Sequence, residues 1–177
     1  MKKLALLLAV LVLILAIPGA AFAWDGQVHK GDLAAFLGLG VGWGFSLDPG
    51  VEWAFLEWKA GDKVPFTFGL AGKGAINFRP NYWTSFGIGA LATAHLGLKG
   101  LDIPDFLQHL DIYIGAGVGL RFFSYDSASP VDYGDSVLGF ATSNGLAYYI
   151  NDKWAGYLEF NWWSHSGGAT LGARYTF

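Results

Sequence analysis

From Leu33 the chain alternates with a period of two. Leu33, Ala35, Leu37, Leu39, Val41, Trp43 and Phe45 occupy the odd positions, and Ala34, Phe36, Gly38, Gly40, Gly42 and Gly44 the even ones. Successive side chains of a β-strand point to opposite faces, so this stretch predicts a strand with one apolar face and one face with almost no side chain. A helix would not tolerate glycine at this density, because each costs roughly 1 kcal/mol relative to alanine.

The pattern recurs. Phe66, Phe68, Leu70, Ile76 and Phe78 oppose Thr67, Gly69, Ala71, Lys73, Ala75 and Asn77. Phe86, Ile88, Ala90, Ala92, Ala94, Leu96 and Leu98 oppose Ser85, Gly87, Gly89, Leu91, Thr93, His95 and Gly97. Ile112, Ile114, Ala116, Val118, Leu120 and Phe122 oppose Asp111, Tyr113, Gly115, Gly117, Gly119 and Arg121. Trp154, Leu158, Phe160 and Trp162 oppose Ala155, Tyr157, Glu159, Asn161 and Trp163, and the chain ends on Ala169, Leu171, Ala173, Tyr175 and Phe177 against Thr170, Gly172, Arg174 and Thr176. Two weaker strands span Val51 to Lys59 and Ser136 to Ile150, the latter with Thr142 and Asn144 interrupting its apolar face. Eight strands result. Turn chemistry marks Ser46 to Gly50, Ala60 to Lys63, Arg79 to Asn81, Asn151-Asp152 and Ser164 to Gly168, with longer links at Lys99 to His109 and Ser124 to Asp135. No helical period is long enough for a crossover, so all neighbours are expected to be antiparallel.

The first residues read differently. Met1, Lys2 and Lys3, an apolar run from Leu4 to Ile17 and the Ala21-Phe22-Ala23 site predict a secretory signal peptide over residues 1–23, with the β domain over residues 24–177. The chain has no cysteine, so it is expected to be neither a lipoprotein nor disulfide-dependent. A net charge of −3 without a basic run argues against a nucleic-acid partner.

Composition then separates a soluble sandwich from a membrane barrel. Only 14% of the residues are charged, against 53% hydrophobic, whereas soluble surfaces are about a quarter or more charged. The glycine-rich face is poor material to present to water and good lining for a narrow barrel. A membrane-spanning strand needs about 9–11 tilted residues, and a closed sheet is the only β arrangement that satisfies every backbone group in hydrocarbon. The aromatics agree if the first strand runs outward from the periplasm. Trp43, Phe45, Trp53, Phe78, Phe86, Phe122, Phe140, Phe160 and Trp162 then form an outer girdle, and Phe66, Phe68, Tyr148, Trp154, Tyr175 and Phe177 an inner one. The expected fold is an all-β, eight-stranded, antiparallel, up-and-down transmembrane barrel in the outer membrane of a Gram-negative-type bacterium, with outer-membrane lipids around it.

The ending Leu171-Gly172-Ala173-Arg174-Tyr175-Thr176-Phe177, with Tyr175 third from the end and a terminal Phe177, resembles the assembly signal of outer-membrane proteins. Size and strand count are similar to the OmpX family and to the transmembrane domain of OmpA. The resemblance implies the barrel-insertion machinery as a partner. The chain departs from those barrels in its short outer connections and its long link from Lys99 to His109.

Inward charges then have to be paired. If the second hairpin is centred between Asp62 and Lys63, Glu52 lies opposite Lys73; if the last is centred between Ser166 and Gly167, Glu159 lies opposite Arg174. Parity predicts a three-residue link, Asn151-Asp152-Lys153. The expected interior is a side-chain plug held by these four charges, completed by His95, Asp111, Tyr113 and Arg121. A structural or surface-related role follows, without catalysis or cofactor.

Three alternatives come from different classes. Lys73, Arg121 and Arg174 could line a narrow pore opened by exchange of salt-bridge partners. His165 and Ser166 raise a lipid A-modifying enzyme, but the segment lacks the His-x-Ser spacing of the lipid A deacylases, and no acid is placed to orient the imidazole. The loop over residues 124–135, with Tyr125, Asp126, Asp132, Tyr133 and Asp135, could touch a surface ligand. His29, His95, His109 and His165 sit on separate elements without ligand spacing, so no metal site is expected.

Overall fold

A computed structural model describes residues 28–42, 44–60, 64–99, 103–125, 136–163 and 166–177. The expected signal peptide, Trp43, Asp62 and Lys63, residues 126–135 of the longest outer loop, and His165 lie outside the described residues.

The alternation of the sequence becomes eight strands: β1 (Leu33–Gly42), β2 (Phe45–Ala60), β3 (Val64–Arg79), β4 (Trp83–Gly97), β5 (Leu110–Tyr125), β6 (Ser136–Tyr149), β7 (Trp154–Trp163) and β8 (Ser166–Thr176). A short helix, α1 (Asp105–Gln108), lies in the link before β5. Each strand pairs antiparallel with the next, and β1 pairs with β8 to close the barrel. Among the described residues every strand therefore has a paired neighbour on each side.

The faces fall as the alternation requires. Leu39 is 70% exposed and Leu138 72%, both on the outer surface, with Phe45, Val51, Leu70, Ile88, Ile114 and Phe160 also exposed there. Glu52, His95, Asp111, Arg121, Glu159 and Arg174 are buried inside. This is a globular protein turned inside out: apolar groups cover the surface and charges fill the core.

Inward glycines make that core possible. Tyr157 projects between Gly38 and Gly172; a Cβ on Gly38 would collide with its hydroxyl, and one on Gly172 would come within 2.6 Å of its ring. The start of β1 and the end of β8 lie at one end of the barrel, where the Phe177 N–H donates to the Leu33 carbonyl at 2.9 Å. At that end the segment before β1 folds across the mouth. Val28 is buried among Ala54, Tyr113, Ala147, Tyr149, Ala155 and Tyr157, its carbonyl accepts from Thr67 Oγ1 at 2.7 Å, and Gly31, at φ +101°, donates to the Ala54 carbonyl at 2.8 Å.

Several local expectations are corrected. Ser46 to Gly50 is not a turn: it belongs to β2 and pairs with β1, as in Leu37↔Pro49 and Leu39↔Leu47, because the chain already reverses between Val41 and Phe45. The helix-breaking and turn-forming character of Asp48-Pro49 is absorbed where pairing to β3 skips these two residues, proline having no N–H to donate. Since β2 begins at Phe45, Trp53 falls opposite Leu33 near the terminal end, not in the outer girdle. A bulge between Ala54 and Leu56 shifts parity in β2, so Leu56 and Trp58 follow Trp53 on the outer surface. The last hairpin pairs Trp163 with Ser166, so β8 begins earlier than Gly168.

Candidate functional site

The register decides which inward charges can meet. Glu52 stands opposite Ala71, and Lys73 opposite Gly50, because the bulge and the three-residue connection after Ala60 move the centre of the second hairpin. Glu159 stands opposite Thr170, and Arg174 opposite Ala155. Neither expected cross-strand pair forms. The same four residues pair across the lumen with exchanged partners: Arg174 Nη1 lies 2.9 Å from Glu52 Oε2, and Lys73 bonds Glu159.

Around Glu52 the groups near the terminal end form one cluster. His95 Nε2 is 2.8 Å from Glu52 Oε1 and its Nδ1 is 2.7 Å from Asp111 Oδ2, while Thr93 Oγ1 also donates to Glu52. Each ring nitrogen of His95 thus lies within hydrogen-bond distance of a carboxylate oxygen, so the imidazole ties β2 to β5. His95 is 2% exposed and Asp111 0%, so the cluster is sealed from solvent.

A second cluster lies at mid-barrel. One Glu159 oxygen accepts from Lys73, from Tyr113 at 3.0 Å and from Ser143 at 2.6 Å, and Lys73 also donates to Ser143 at 2.9 Å. Tyr113 joins the two clusters, since its ring stacks on His95 at 5.5 Å. Lys73 further lies 5.2 Å from the Phe36 ring centroid. Toward the other end Asp48 accepts from Ser46 at 3.0 Å and from Thr170 at 2.6 Å, and Asn161 donates to Thr170 at 2.9 Å. Arg121 lies toward the same end, with its guanidinium 5.9 Å from the Trp163 ring centroid.

The lumen thus gathers Glu52, Lys73, Glu159, Arg174, His95, Asp111 and Tyr113 into one connected network and leaves Arg121 nearer the far mouth. Sequence reading missed Asp48, hidden in an apparent turn, and it gave no role to Thr93, Ser143 and Thr170, whose inward parity was the available signal. Small cavities of about 30 and 20 Å³ lie on the two sides of the Lys73 and Glu159 contact. A cavity needs about 10–15 Å³ to hold one water, so each takes one or two. Tyr175 and Phe177 lie at the terminal end, the Tyr175 ring packed 4.8 Å from Trp154 and 5.2 Å from Phe177. No cluster of His, Asp and Glu suited to a metal ion occurs among the described residues.

No family model and no curated protein matches this sequence. Solved structures do. The N-terminal β-barrel domain of Pseudomonas aeruginosa OprF matches with a TM-score of 0.54 at 13% identity, covering 84% of this chain and 98% of that one. Ail, the attachment invasion locus protein of Yersinia pestis, matches at 0.51 and 12% identity, over 84% and 100% of the two chains. The outer membrane enzyme PagL matches at 0.50 and 13% identity, over 82% and 98%. These neighbours differ in what they do and agree in architecture, so what they share with this chain is the fold of the small eight-stranded outer-membrane β-barrels.

Proposed function

We propose that the protein is an integral outer-membrane barrel whose lumen is a structural plug rather than a conduit, with the terminal end in the periplasm. The observation that carries this reading is the pair of buried clusters, Lys73 with Glu159 and Arg174 with Glu52, His95 and Asp111, joined through Tyr113. A buried ion is costly unless it is paired and hydrogen-bonded, and here charges that serve no solvent-facing purpose tie six strands together through the lumen. The exposed apolar belt gives the surface that lipid requires. A non-catalytic role is supported by His95, which both carboxylates occupy and the sealed mouth encloses. Insertion by the barrel-assembly machinery, through Tyr175 and Phe177, belongs to the same reading.

The pore reading has one observation in its favour: Lys73 and Glu159 separate the two small water-sized cavities, and an exchange of partners there would join them. Their size favours the plug. A surface role for the loop over residues 124–135 is a further proposal.

Two measurements test the function. Extracted in detergent, the folded barrel should migrate differently on a gel before and after boiling, and an unshifted protein recovered from the soluble periplasm would overturn the membrane assignment. In planar bilayers, wild type, Glu52→Ala and Lys73→Ala should all give near-zero conductance; discrete channels that respond to either substitution would establish the pore instead.

A further inference from the structure

A cavity larger than those in the lumen opens at the hairpin joining β3 to β4, at the end opposite the start of β1. It measures about 340 Å³, and its walls include Phe78, Arg79, Tyr82, Thr84, Ser124 and Tyr125. Organic ligands occupy cavities of about 300–1,000 Å³. The lumen cavities admit only water, so this is the one of the three with room for a headgroup.

Its walls follow from the register. Phe78 stands opposite Thr84 and Thr84 opposite Ser124, so three exposed side chains form one outward row across β3, β4 and β5. The next outward row, nearer mid-barrel, is Ile76, Phe86 and Phe122. The apolar belt thus ends on two hydroxyls, at the level where acyl chains give way to headgroups. Beyond them the chain turns tightly. Asn81 takes φ 65°, a conformation asparagine tolerates, and the Tyr82 N–H donates to the Arg79 carbonyl at 3.0 Å. This turn lays Arg79 on the Tyr82 ring, its guanidinium carbon 4.4 Å from the ring centroid. Stacking uses the face of the guanidinium and leaves its N–H fork in plane, a shape matched to phosphate. Among the described residues no acid lines the cavity.

Resting on the membrane reading above, we infer that this cleft binds the phosphorylated sugar headgroup of an outer-leaflet lipid. Arg79 takes the phosphate, the Thr84 and Ser124 hydroxyls and the Tyr82 and Tyr125 rings hold the sugar, and the acyl chains run past Phe86 and Phe122. A hydroxyl both donates and accepts, which suits a polyhydroxylated ring. A zwitterionic headgroup fits poorly, because its cation would meet Arg79 and find no acid in the cleft. The cleft is continuous with the apolar belt through Phe78 and Phe86. A phosphate carried by a lipid is already held at this depth, so its capture loses less freedom than capture from solution.

Native mass spectrometry of the barrel, released from detergent micelles mixed with diphosphorylated lipid A, reads the retained lipid. Arg79→Gln should lower the retained fraction about tenfold or more at the same lipid concentration, the worth of one charge-assisted contact. Arg79→Lys should recover only part, since lysine keeps the charge without the fork. Lys153→Gln removes the cation lying over Tyr175 at the opposite end and should change nothing. Dephosphorylated lipid A and phosphatidylglycerol should be retained no better by the wild type than lipid A is by Arg79→Gln. Equal losses from Arg79→Gln and Lys153→Gln overturn the inference, as does equal retention of either comparison lipid. Displacement of lipid A by glucosamine 1-phosphate at equal concentration would assign the cleft to soluble sugar phosphates and overturn the lipid source. Boiling shifts are read on the same samples. A wild-type chain without a shift overturns the membrane reading, and a folded barrel that retains no lipid A overturns this inference alone.

Discussion

Glu52 and Arg174 meet at 2.9 Å although their strands, β2 and β8, are not hydrogen-bonded to each other. Between them runs β1, which at this level turns only Ala34 and Phe36 inward, opposite Glu52 and Arg174 respectively. Ala34 is small and the Phe36 ring lies over Gly50, which leaves room for two long side chains to bridge β1. Breaking one side of a buried pair leaves an uncompensated charge, typically costing 3–5 kcal/mol, whereas removing both is far milder. Arg174→Met should therefore lower barrel stability by about 3–5 kcal/mol, and Glu52→Gln in the same background should recover more than half. Urea unfolding in phospholipid vesicles, followed by tryptophan fluorescence, measures both; simply additive losses would show that the two residues do not depend on each other.

His95 makes a separable contribution. Its ring stacks on Tyr113 and its two nitrogens serve Asp111 and Glu52. His95→Phe keeps the stacking and removes both ring nitrogens, leaving Asp111, at 0% exposure, without its bonded partner. A loss of about 3–5 kcal/mol is expected. Adding Asp111→Asn should recover part of it, since the orphaned charge is then gone. If the double variant is no better than His95→Phe alone, the loss comes from packing rather than from charge.

How these pairs arise explains what could be read from the sequence. Alternation assigns faces, and it did so correctly for Glu52, Lys73, Glu159 and Arg174, all of which point inward. Parity restricts register only to steps of two, so it cannot choose among partners on the same face. Glu159 was expected opposite Arg174 and stands opposite Thr170, four residues away and on the same face. The bulge at Ala54 and Leu56 leaves no distinctive mark in the sequence, yet it moves the β2–β3 pairing by one residue. Contacts across the lumen, such as Lys73 with Glu159, join residues 86 apart on strands that never pair, so no hairpin arithmetic reaches them. Asp48 was lost to its neighbours, since Pro49-Gly50 carries turn chemistry that closure of the barrel overrides.

Glycine placement gives a steric prediction. A Cβ on Gly145 would fall 2.5 Å from the Tyr113 ring and hydroxyl and 2.7 Å from the Leu158 carbonyl. Gly145→Ala should therefore push Tyr113 away from Glu159 and destabilise the barrel by about 1–3 kcal/mol, the usual cost of overpacking a filled core. Tyr113→Phe keeps the colliding ring and should give no relief, while Tyr113→Leu in the Gly145→Ala background should recover part of the loss. Unchanged stability in Gly145→Ala would mean that the lumen is looser at this level than the Tyr113 contact requires.

Phe177 offers a test that separates folding from assembly. Phe177 is 69% exposed on the outer surface, touches the edge of Tyr175, and is held by its backbone to Leu33. Truncating so exposed a side chain should change intrinsic stability by less than about 1 kcal/mol. If Phe177 with Tyr175 is read by the insertion machinery, Phe177→Ala should instead lower the amount of heat-modifiable barrel in cells several-fold, while refolding of the purified protein into detergent keeps its wild-type yield. Equal losses in cells and in detergent would assign Phe177 to the packing around Trp154 and Tyr175, and normal assembly in cells would remove the terminal residue from the signal.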